Sequence, residues 1–112
     1  MSKPLAIVRS LDHLVLTCAN IPATCQWYSR HLGMTIEKFT PPSSPCTERF
    51  ALKFGMQKIN LHQQGKEFEP KATTALPGTT DLCFLVEDST DLDAALKGSR
   101  RRASLFRQEG RL

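Results

Sequence analysis

The chain has 112 residues, of which 40% are hydrophobic and 7% aromatic, the size and composition of one soluble globular domain. Its formal charge of +4 arises at the end of the chain, because residues 97–112 carry six basic groups against one acidic group, whereas residues 1–96 carry nine against ten. The basic tail has a single aromatic residue, Phe106, and so lacks the interleaved basic and aromatic face of a nucleic-acid-binding protein.

The sequence also bears on the cellular compartment. No apolar run approaches the roughly 18 residues that span a bilayer, and the start of the chain lacks the apolar segment and cleavage site of a signal peptide. We therefore expect no membrane partner and a location in the cytoplasm or an organellar matrix. The cysteines form no C-x-x-C pair, and we interpret them as reduced thiols of the core: Cys18, Cys25, Cys46 and Cys83.

The first two predicted elements are a strand and a helix. Residues 11–17 alternate with both faces largely apolar, which is typical of a strand covered on both sides. Asn20 is placed to cap a helix, Pro22 suits its first turn, and Gly33 is placed to end it. The apolar stripe of this helix consists of Ile21, Cys25, Tyr28 and Leu32. The helix is therefore predicted to pack on the side of the sheet that carries Leu16.

Three further strands are predicted. Residues 34–40 form a short strand that cannot continue into the Pro- and Ser-rich residues 41–45, because prolines lack hydrogen-bond donors. Residues 48–55 alternate cleanly, and a turn leads from them into residues 57–63. The apolar faces of these two strands carry Phe50, Leu52, Phe54, Ile59 and Leu61. The opposite face of the last strand carries Lys58, Asn60 and His62.

A second copy of this pattern begins and then stops. Residues 81–87 predict a fifth strand, and Ser89 or Asp91 is placed to cap a second helix that Gly98 would close. The order is β-α-β-β-β followed by β-α, which predicts an α+β fold with one complete βαβββ unit and an incomplete second unit. Residues 99–112 show weak apolar periodicity and dense charge, so we predict a domain over residues 1–98 and a poorly ordered basic tail.

Metal-binding side chains are predicted on one face of the sheet. If the helices cover one face, the other presents His13 from the first strand, Asn60 and His62 from the fourth, and Asp81 from the fifth. Two imidazoles with one carboxylate form the ligand set of non-haem iron and related Lewis-acid sites. Each residue also has a structural interpretation, with His13 bonded to a neighbouring carbonyl, His62 at the surface and Asp81 capping a turn.

Four other features are interpreted without a role in chemistry. His31 lies late in the first helix, where it meets the helix dipole favourably. Glu67 and Glu69 form a loop pair with no visible charge partner. Cys83 has no adjacent base that would activate it. Ser104 follows a run of arginines that resembles a kinase substrate, a match that is common by chance in such segments.

Four stretches resemble the vicinal oxygen chelate superfamily, which includes glyoxalase I, bleomycin-resistance proteins and extradiol dioxygenases. They are LDHLVLT, WYSRHLGM, FALKFGMQKINLHQQGKEFEPKA and PGTTDLCFLVED. The resemblance implies two βαβββ units that form a cupped sheet around a divalent metal, with ligands from the first and last strands of each unit. It places these ligands at His13, at Asn60 or His62, and at Asp81. The glutamate that the superfamily carries on the last strand of its second unit has no counterpart, so the sequence resembles a truncated form.

Two functions follow from this resemblance. The first is a glyoxalase-like protein in which His13, His62 and Asp81 hold Zn, Ni, Mn or Fe and a small molecule with vicinal oxygens undergoes lyase- or isomerase-type chemistry. The alternative is a non-catalytic small-molecule-binding module of the bleomycin-resistance type, which the weak ligand Asn60 favours. In both cases the incomplete second unit leaves an exposed sheet edge, which favours a homodimer.

Overall fold

A computed structural model describes residues 2–42 and 47–101. Its elements in chain order are β1 (His13–Cys18), α1 (Ile21–Leu32), β2 (Thr35–Phe39), β3 (Arg49–Phe54), β4 (Gln57–Gln63) and α2 (Leu92–Arg101). The first five form the predicted βαβββ unit, and the α+β class is confirmed. Within the described residues, no helix is long and apolar enough to cross a membrane.

The strands form one sheet in the order β1-β4-β3-β2. β1 runs parallel to β4, whereas β4 and β3, and β3 and β2, pair antiparallel. The last strand of the unit therefore returns beside the first. This topology makes neighbours of the two strands that carry the predicted histidines.

The core lies between α1 and one face of the sheet. Its buried side chains are Leu16, Cys18, Leu52, Ile59 and Leu61 from the strands, with Cys25, Trp27, Tyr28 and Met34 from α1 and the residues after it. Leu52 and Leu61 are at most 1% exposed, so truncating either to alanine is expected to cost about 2–5 kcal/mol. The predicted apolar faces and the predicted position of α1 are confirmed.

Both ends of α1 are fixed as the sequence predicts. Asn20 Oδ1 accepts a hydrogen bond of 2.9 Å from the Ala23 N–H, and proline stands in the first turn. At the other end Gly33 has φ 68°, a left-handed conformation that glycine adopts without strain, and its N–H donates to the Ser29 carbonyl.

Gln63, the last residue of β4, ties that strand to the start of α1. Its Nε2 donates to the carbonyls of Cys18 at 3.2 Å and Ala19 at 2.6 Å. Its Oε1 accepts from the Ile21 N–H at 3.2 Å. One side chain thus satisfies three backbone groups where the chain leaves β1 and enters α1.

The predicted fifth strand is wrong for the residues after Asp81. Asp81 forms a single β-bridge, and residues 82–87 form no ladder within the described chain. Alternation is nevertheless present, because Leu82 and Phe84 pack against the core while Cys83 and Leu85 are exposed. Alternation predicts which side chains are buried, but a strand also requires a neighbouring strand with which to pair.

The prediction that all four cysteines are core thiols is also partly wrong. Cys83 is exposed, because it lies on the outward side of residues 82–87. Cys18 and Cys25 are buried free thiols, as predicted, and burial raises the pKa of Cys25. Cys46 lies outside the described residues.

The second helix begins as predicted and ends later. The Ala94 N–H donates to Asp91 Oδ1 at 3.1 Å, so Asp91 is its cap. The predicted stop at Gly98 is wrong, since α2 continues to Arg101. A glycine inside a helix costs about 1 kcal/mol and does not by itself end it, and the arginines that follow favour helix. The poor order predicted for the tail concerns residues that lie mostly outside the described ranges.

Candidate functional site

The face of the sheet opposite α1, here called the open face, carries side chains in three rows that cross the strands. The upper row contains Thr17, His62, Arg49 and Phe39. The middle row contains Val15, Asn60, Ala51 and Glu37, and the lower row contains His13, Lys58, Lys53 and Thr35. Neighbouring rows are two residues apart along each strand, or about 7 Å.

Residues 66–76, here called the covering loop, lie over the upper row, and together with it they line two adjoining cavities that are partly open to solvent. The larger, of about 230 Å³, is lined by Val15, Thr17, His62, Glu67 and residues 71–76. The smaller, of about 90 Å³, is lined by His13, Val15, Phe39, Arg49, Phe50, residues 60–62 and residues 68–70. Val15 and His62 border both cavities, so the two spaces meet at His62.

His62 is the most buried of the ionisable side chains that line the cavities. It is 4% exposed, and its ring lies 4.3 Å from the centroid of the Phe68 ring. Burial lowers the pKa of His62 below 6.5, Glu67 acts against this shift, and Arg49 adds to it. His62 is therefore a neutral imidazole at pH 7, with one ring nitrogen free to accept a proton, a hydrogen bond or a metal.

Phe68 connects the covering loop to the upper row. The Arg49 Cζ atom lies 3.9 Å from the centroid of the Phe68 ring, in cation–π contact, and His62 packs beside the same ring. Glu67, the preceding residue, accepts a hydrogen bond of 3.0 Å from the Gly65 N–H. Hydrogen bonds from the backbone lower the pKa of Glu67, so this carboxylate is ionised beside the larger cavity.

Three buried polar atoms on the open face have no hydrogen-bond partner among the described residues: Thr17 Oγ1, Arg49 Nε and Asn60 Oδ1. Thr17 lines the larger cavity, and Arg49 and Asn60 line the smaller one. Buried polar atoms are normally paired, because leaving one unpaired costs about 1–3 kcal/mol. An unpaired set around one pair of cavities is the pattern expected where a bound molecule supplies the missing partners.

The structure brings part of the predicted metal set together. His13, Asn60 and His62 all line the smaller cavity, whereas Asp81 is exposed and lines neither cavity. His13 and His62 lie on the same face but in different rows, four residues apart along paired strands, an offset of about 13 Å. A metal holds its nitrogen ligands at about 2.1 Å, which requires far closer convergence.

The surroundings of His13 differ from those of His62. Its Nδ1 lies 2.7 Å from Asp12 Oδ2, its side chain is 40% exposed, and its register partner is the cation Lys58. The hydrogen bond with His13 lowers the pKa of Asp12. Within residues 2–42 and 47–101, no group of three or more His, Cys, Asp or Glu side chains could hold a metal ion. The described residues therefore do not by themselves fit a metal with three protein ligands.

Sequence reasoning missed Thr17, Arg49 and Phe68 as site residues. The alternation of β3 placed Arg49 on the face opposite Phe50, which is the face of His62, and that signal was available. The contact of Phe68 with both side chains was not, since it depends on the path of a loop. Glu67, interpreted from the sequence as a solvated loop residue, borders the larger cavity.

A βαβββ unit covered by a helix on one face and enclosing cavities on the other defines a glyoxalase-like α+β domain. Residues 10–108 match the model of the Glyoxalase/Bleomycin resistance protein/Dioxygenase superfamily, and the chain belongs to that superfamily.

Two curated relatives are similar to the chain over most of its length. The chain is 55% identical over 82 residues to Glyoxalase domain-containing protein RDO1 of Mycosarcoma maydis, a match that covers 73% of this chain and 43% of the relative. It is 48% identical over 79 residues to Virulence protein STM3117 of Salmonella typhimurium, covering 70% of this chain and 51% of the relative. The chain thus spans about half the length of these relatives.

Solved structures share the fold. A protein from the mobile metagenome of V. Pseudocholerae superposes with a TM-score of 0.71 at 44% identity, over 88% of this chain and 70% of that one. The crystal structure of Virulence protein STM3117 gives a TM-score of 0.69 at 41% identity, over 88% and 71% of the two chains. The predicted glyoxalase-like fold is confirmed.

Proposed function

We propose that the chain binds a small molecule on the open face of its sheet, beneath the covering loop. The observation that carries this proposal is the position of His62, which is 4% exposed and borders both cavities. Together the cavities reach the lower end of the roughly 300–1,000 Å³ that is usual for small-molecule sites. The stretch from Phe50 to Ala72, which supplies most of this site, resembles glyoxalase domain-containing protein 5 in particular.

The chemistry of the site suits a compact polar ligand. Neutral His62 can donate from one ring nitrogen and accept at the other, and the hydroxyl of Thr17 lies beside it across the ladder. Phe68 closes the site from the loop side and keeps water from the imidazole. Superfamily members bind small molecules with vicinal oxygens, and the unpaired atoms of the open face are complementary to such groups.

The test is a titration of the ¹⁵N-labelled chain with three matched probes that carry vicinal oxygens: mandelate, phenylglyoxylate and 1-phenylethane-1,2-diol. We expect at least one probe to shift the amide signals of Thr17, His62 and the covering loop. His62→Ala should abolish the shifts, whereas His31→Ala, on α1 and away from the open face, should retain them. If no probe shifts these signals up to about 10 mM, where a millimolar site is largely occupied, the proposal fails.

Metal-dependent lyase or isomerase chemistry is a second candidate, with His13, His62 and Asp81 as ligands. It is supported by the fact that His13 and His62 line the same cavity and that the lowered pKa of His62 keeps it in its metal-binding form. A divalent ion bound there would supply a Lewis acid. Since His13 and His62 are offset by about 13 Å along the ladder and no group of three ligands is assembled among the described residues, this function requires the two histidines to converge and residues 81–87 or a second chain to move towards the cavity.

Thermal unfolding with and without Zn²⁺, Ni²⁺, Mn²⁺ or Fe²⁺ tests this second candidate. An ion at about 100 times its dissociation constant adds roughly 2.7 kcal/mol to the free energy of unfolding. We expect His13→Ala to lose that gain and Lys58→Ala, its neighbour in the lower row, to keep it. If no ion raises the melting temperature, metal-dependent chemistry is ruled out and the small-molecule-binding module remains.

We also propose that two chains associate. β1 is an edge strand of the described sheet, and Leu5, Ile7 and Leu85 are at least 87% exposed. An edge strand and exposed apolar side chains each favour pairing with another chain. Analytical ultracentrifugation should show a dimer at micromolar concentration, and a monomer across the accessible concentration range would contradict it.

A further inference from the structure

We propose that the ligand of the open face is a small 2-hydroxycarboxylic acid with an apolar substituent, whose carboxylate contacts Arg49 and whose hydroxyl contacts Asn60. This inference rests on the proposed function, because it names the ligand class of the same site. It is carried by the identity and the placement of the unpaired polar atoms.

Arg49 supplies an unused donor and a positive charge. Its Nε is buried without a hydrogen-bond partner, and no ion pair joins its guanidinium to a carboxylate of the described chain. Contact with Phe68 holds the guanidinium over the smaller cavity. A buried cationic donor without an acceptor is complementary to an oxyanion, and the planar guanidinium matches a carboxylate in geometry.

Asn60 has an unused atom of the opposite character, an acceptor. Its Oδ1 is a buried acceptor without a donor, so the ligand must present a hydroxyl or amine there rather than a second oxyanion. Ala51 pairs with Asn60 in the ladder, which makes Arg49 its diagonal neighbour on the next strand. Diagonal neighbours lie about 7–8 Å apart at Cα, so both side chains can reach adjacent atoms of one small molecule.

The larger cavity continues from this polar pair past His62. Its walls include the apolar side chains of Val15, Ala72, Ala75 and Leu76. A compact apolar substituent fits between them, with the unpaired hydroxyl of Thr17, a residue that is 4% exposed, at its edge. The charged residues of this cavity, Glu67 and Lys71, are opposite in sign, and in the smaller cavity the carboxylate of Glu69 is exposed to solvent. Arg49, whose Nε is buried, is therefore the cation that the ligand carboxylate would meet.

The experiment compares dissociation constants of mandelate and 1-phenylethane-1,2-diol, which differ in the carboxylate, for the parent chain and two charge-removing variants. We expect mandelate to bind at least tenfold more tightly than the diol, because a charge-assisted hydrogen bond contributes that much. Arg49→Met should abolish this preference while retaining contact with Phe68. Lys53→Met, which also removes a positive charge from the same strand but lies outside the two cavities, should preserve it.

Asn60→Asp is a second variant. It replaces the amide that should accept a hydrogen bond from the ligand hydroxyl with a negatively charged carboxylate, and it should weaken mandelate binding at least tenfold. Equal affinities of mandelate and the diol in the parent, or unchanged binding of mandelate by both site variants, would overturn the inference while leaving a small-molecule site in place. Amide signals that none of the probes shifts would instead overturn the proposed function itself.

Discussion

Thr17 and His62 lie side by side on the parallel strands β1 and β4, and each is only 4% exposed although neither faces the helix-covered core. A hydroxyl and an imidazole are thus buried together beneath the covering loop. Such burial costs free energy unless hydrogen bonds compensate, and Thr17 Oγ1 has no partner in the described chain. Proteins keep unpaired buried groups of this kind where a ligand supplies the partner on binding. The upper row therefore favours ligand binding at the expense of the stability of the free protein.

Replacing Thr17 with valine should leave the free protein equally stable or stabilise it by about 1 kcal/mol. The side chain keeps its shape and loses an unpaired hydroxyl, so the cost of burying that group disappears. Thr24→Val is the matched control, because the hydroxyl of Thr24 donates to the Asn20 carbonyl at 2.9 Å. That variant should lose about 1 kcal/mol in urea unfolding. An equal loss for both variants would mean that the Thr17 hydroxyl is already satisfied.

The sequence predicted the elements and faces of the βαβββ unit because these depend on local patterns. Alternation placed His13 and His62 on one face, and both line the smaller cavity. The distance between them depends on the register of β1 against β4, which a two-residue period does not specify. The register sets His13 beside Lys58 and His62 beside Thr17. The two histidines, which look adjacent in the pattern, therefore lie in the lower and upper rows with the middle row between them.

The position of Asp81 likewise could not be predicted from local patterns. Its place in the predicted metal set rested on a fifth strand, and residues 82–87 find no pairing partner within the described chain. The contacts of Phe68 with Arg49 and His62 depend on the path of the covering loop. Loop paths follow from tertiary packing and not from periodicity, so no pattern in the sequence predicts this part of the site.

The stability of the chain should fall as the pH is lowered from 7.5 to 5.5. Burial holds the pKa of His62 below 6.5 in the folded state, so the unfolded state binds more protons in this range. The stabilisation is fully present above pH 6.5 and is lost as the pH falls through 6.5 towards the folded pKa, with a slope of at most about 1.4 kcal/mol per pH unit. The measurement is urea unfolding at successive pH values.

His62→Gln should reduce this slope, and Gln57→Ala, at an exposed position of the same strand that carries no ionisable group, should retain it. The window stays above the carboxylate range, where the lowered pKa values of Asp12 and Glu67 would add their own dependence. A parent and a His62 variant with the same slope would show that His62 is not the group that titrates.

Gln63→Ala should destabilise the chain by about 2–3 kcal/mol. The change removes three hydrogen bonds to the backbone at the junction of β1 and α1, each of which contributes about 1 kcal/mol. Gln57→Ala, an exposed glutamine at the other end of β4, should change the free energy of unfolding by less than about 0.5 kcal/mol. Comparable losses for the two variants in thermal unfolding would contradict the assigned role of Gln63.

Phe68→Ala should open the site while leaving the fold intact. The half-buried ring contributes about 1 kcal/mol by burial, and its removal takes away the contact that shields the imidazole of His62. The pKa of His62 should therefore rise towards 6.5 in an NMR titration, and amides of the covering loop should exchange faster. Phe84→Ala is the control, because this half-buried ring packs edge-on against Phe54 at 5.6 Å on the core side of the sheet. Phe84→Ala should lower the free energy of unfolding by a similar amount and leave the titration of His62 unchanged. If the pKa of His62 is the same with and without the Phe68 ring, the covering loop does not close the site.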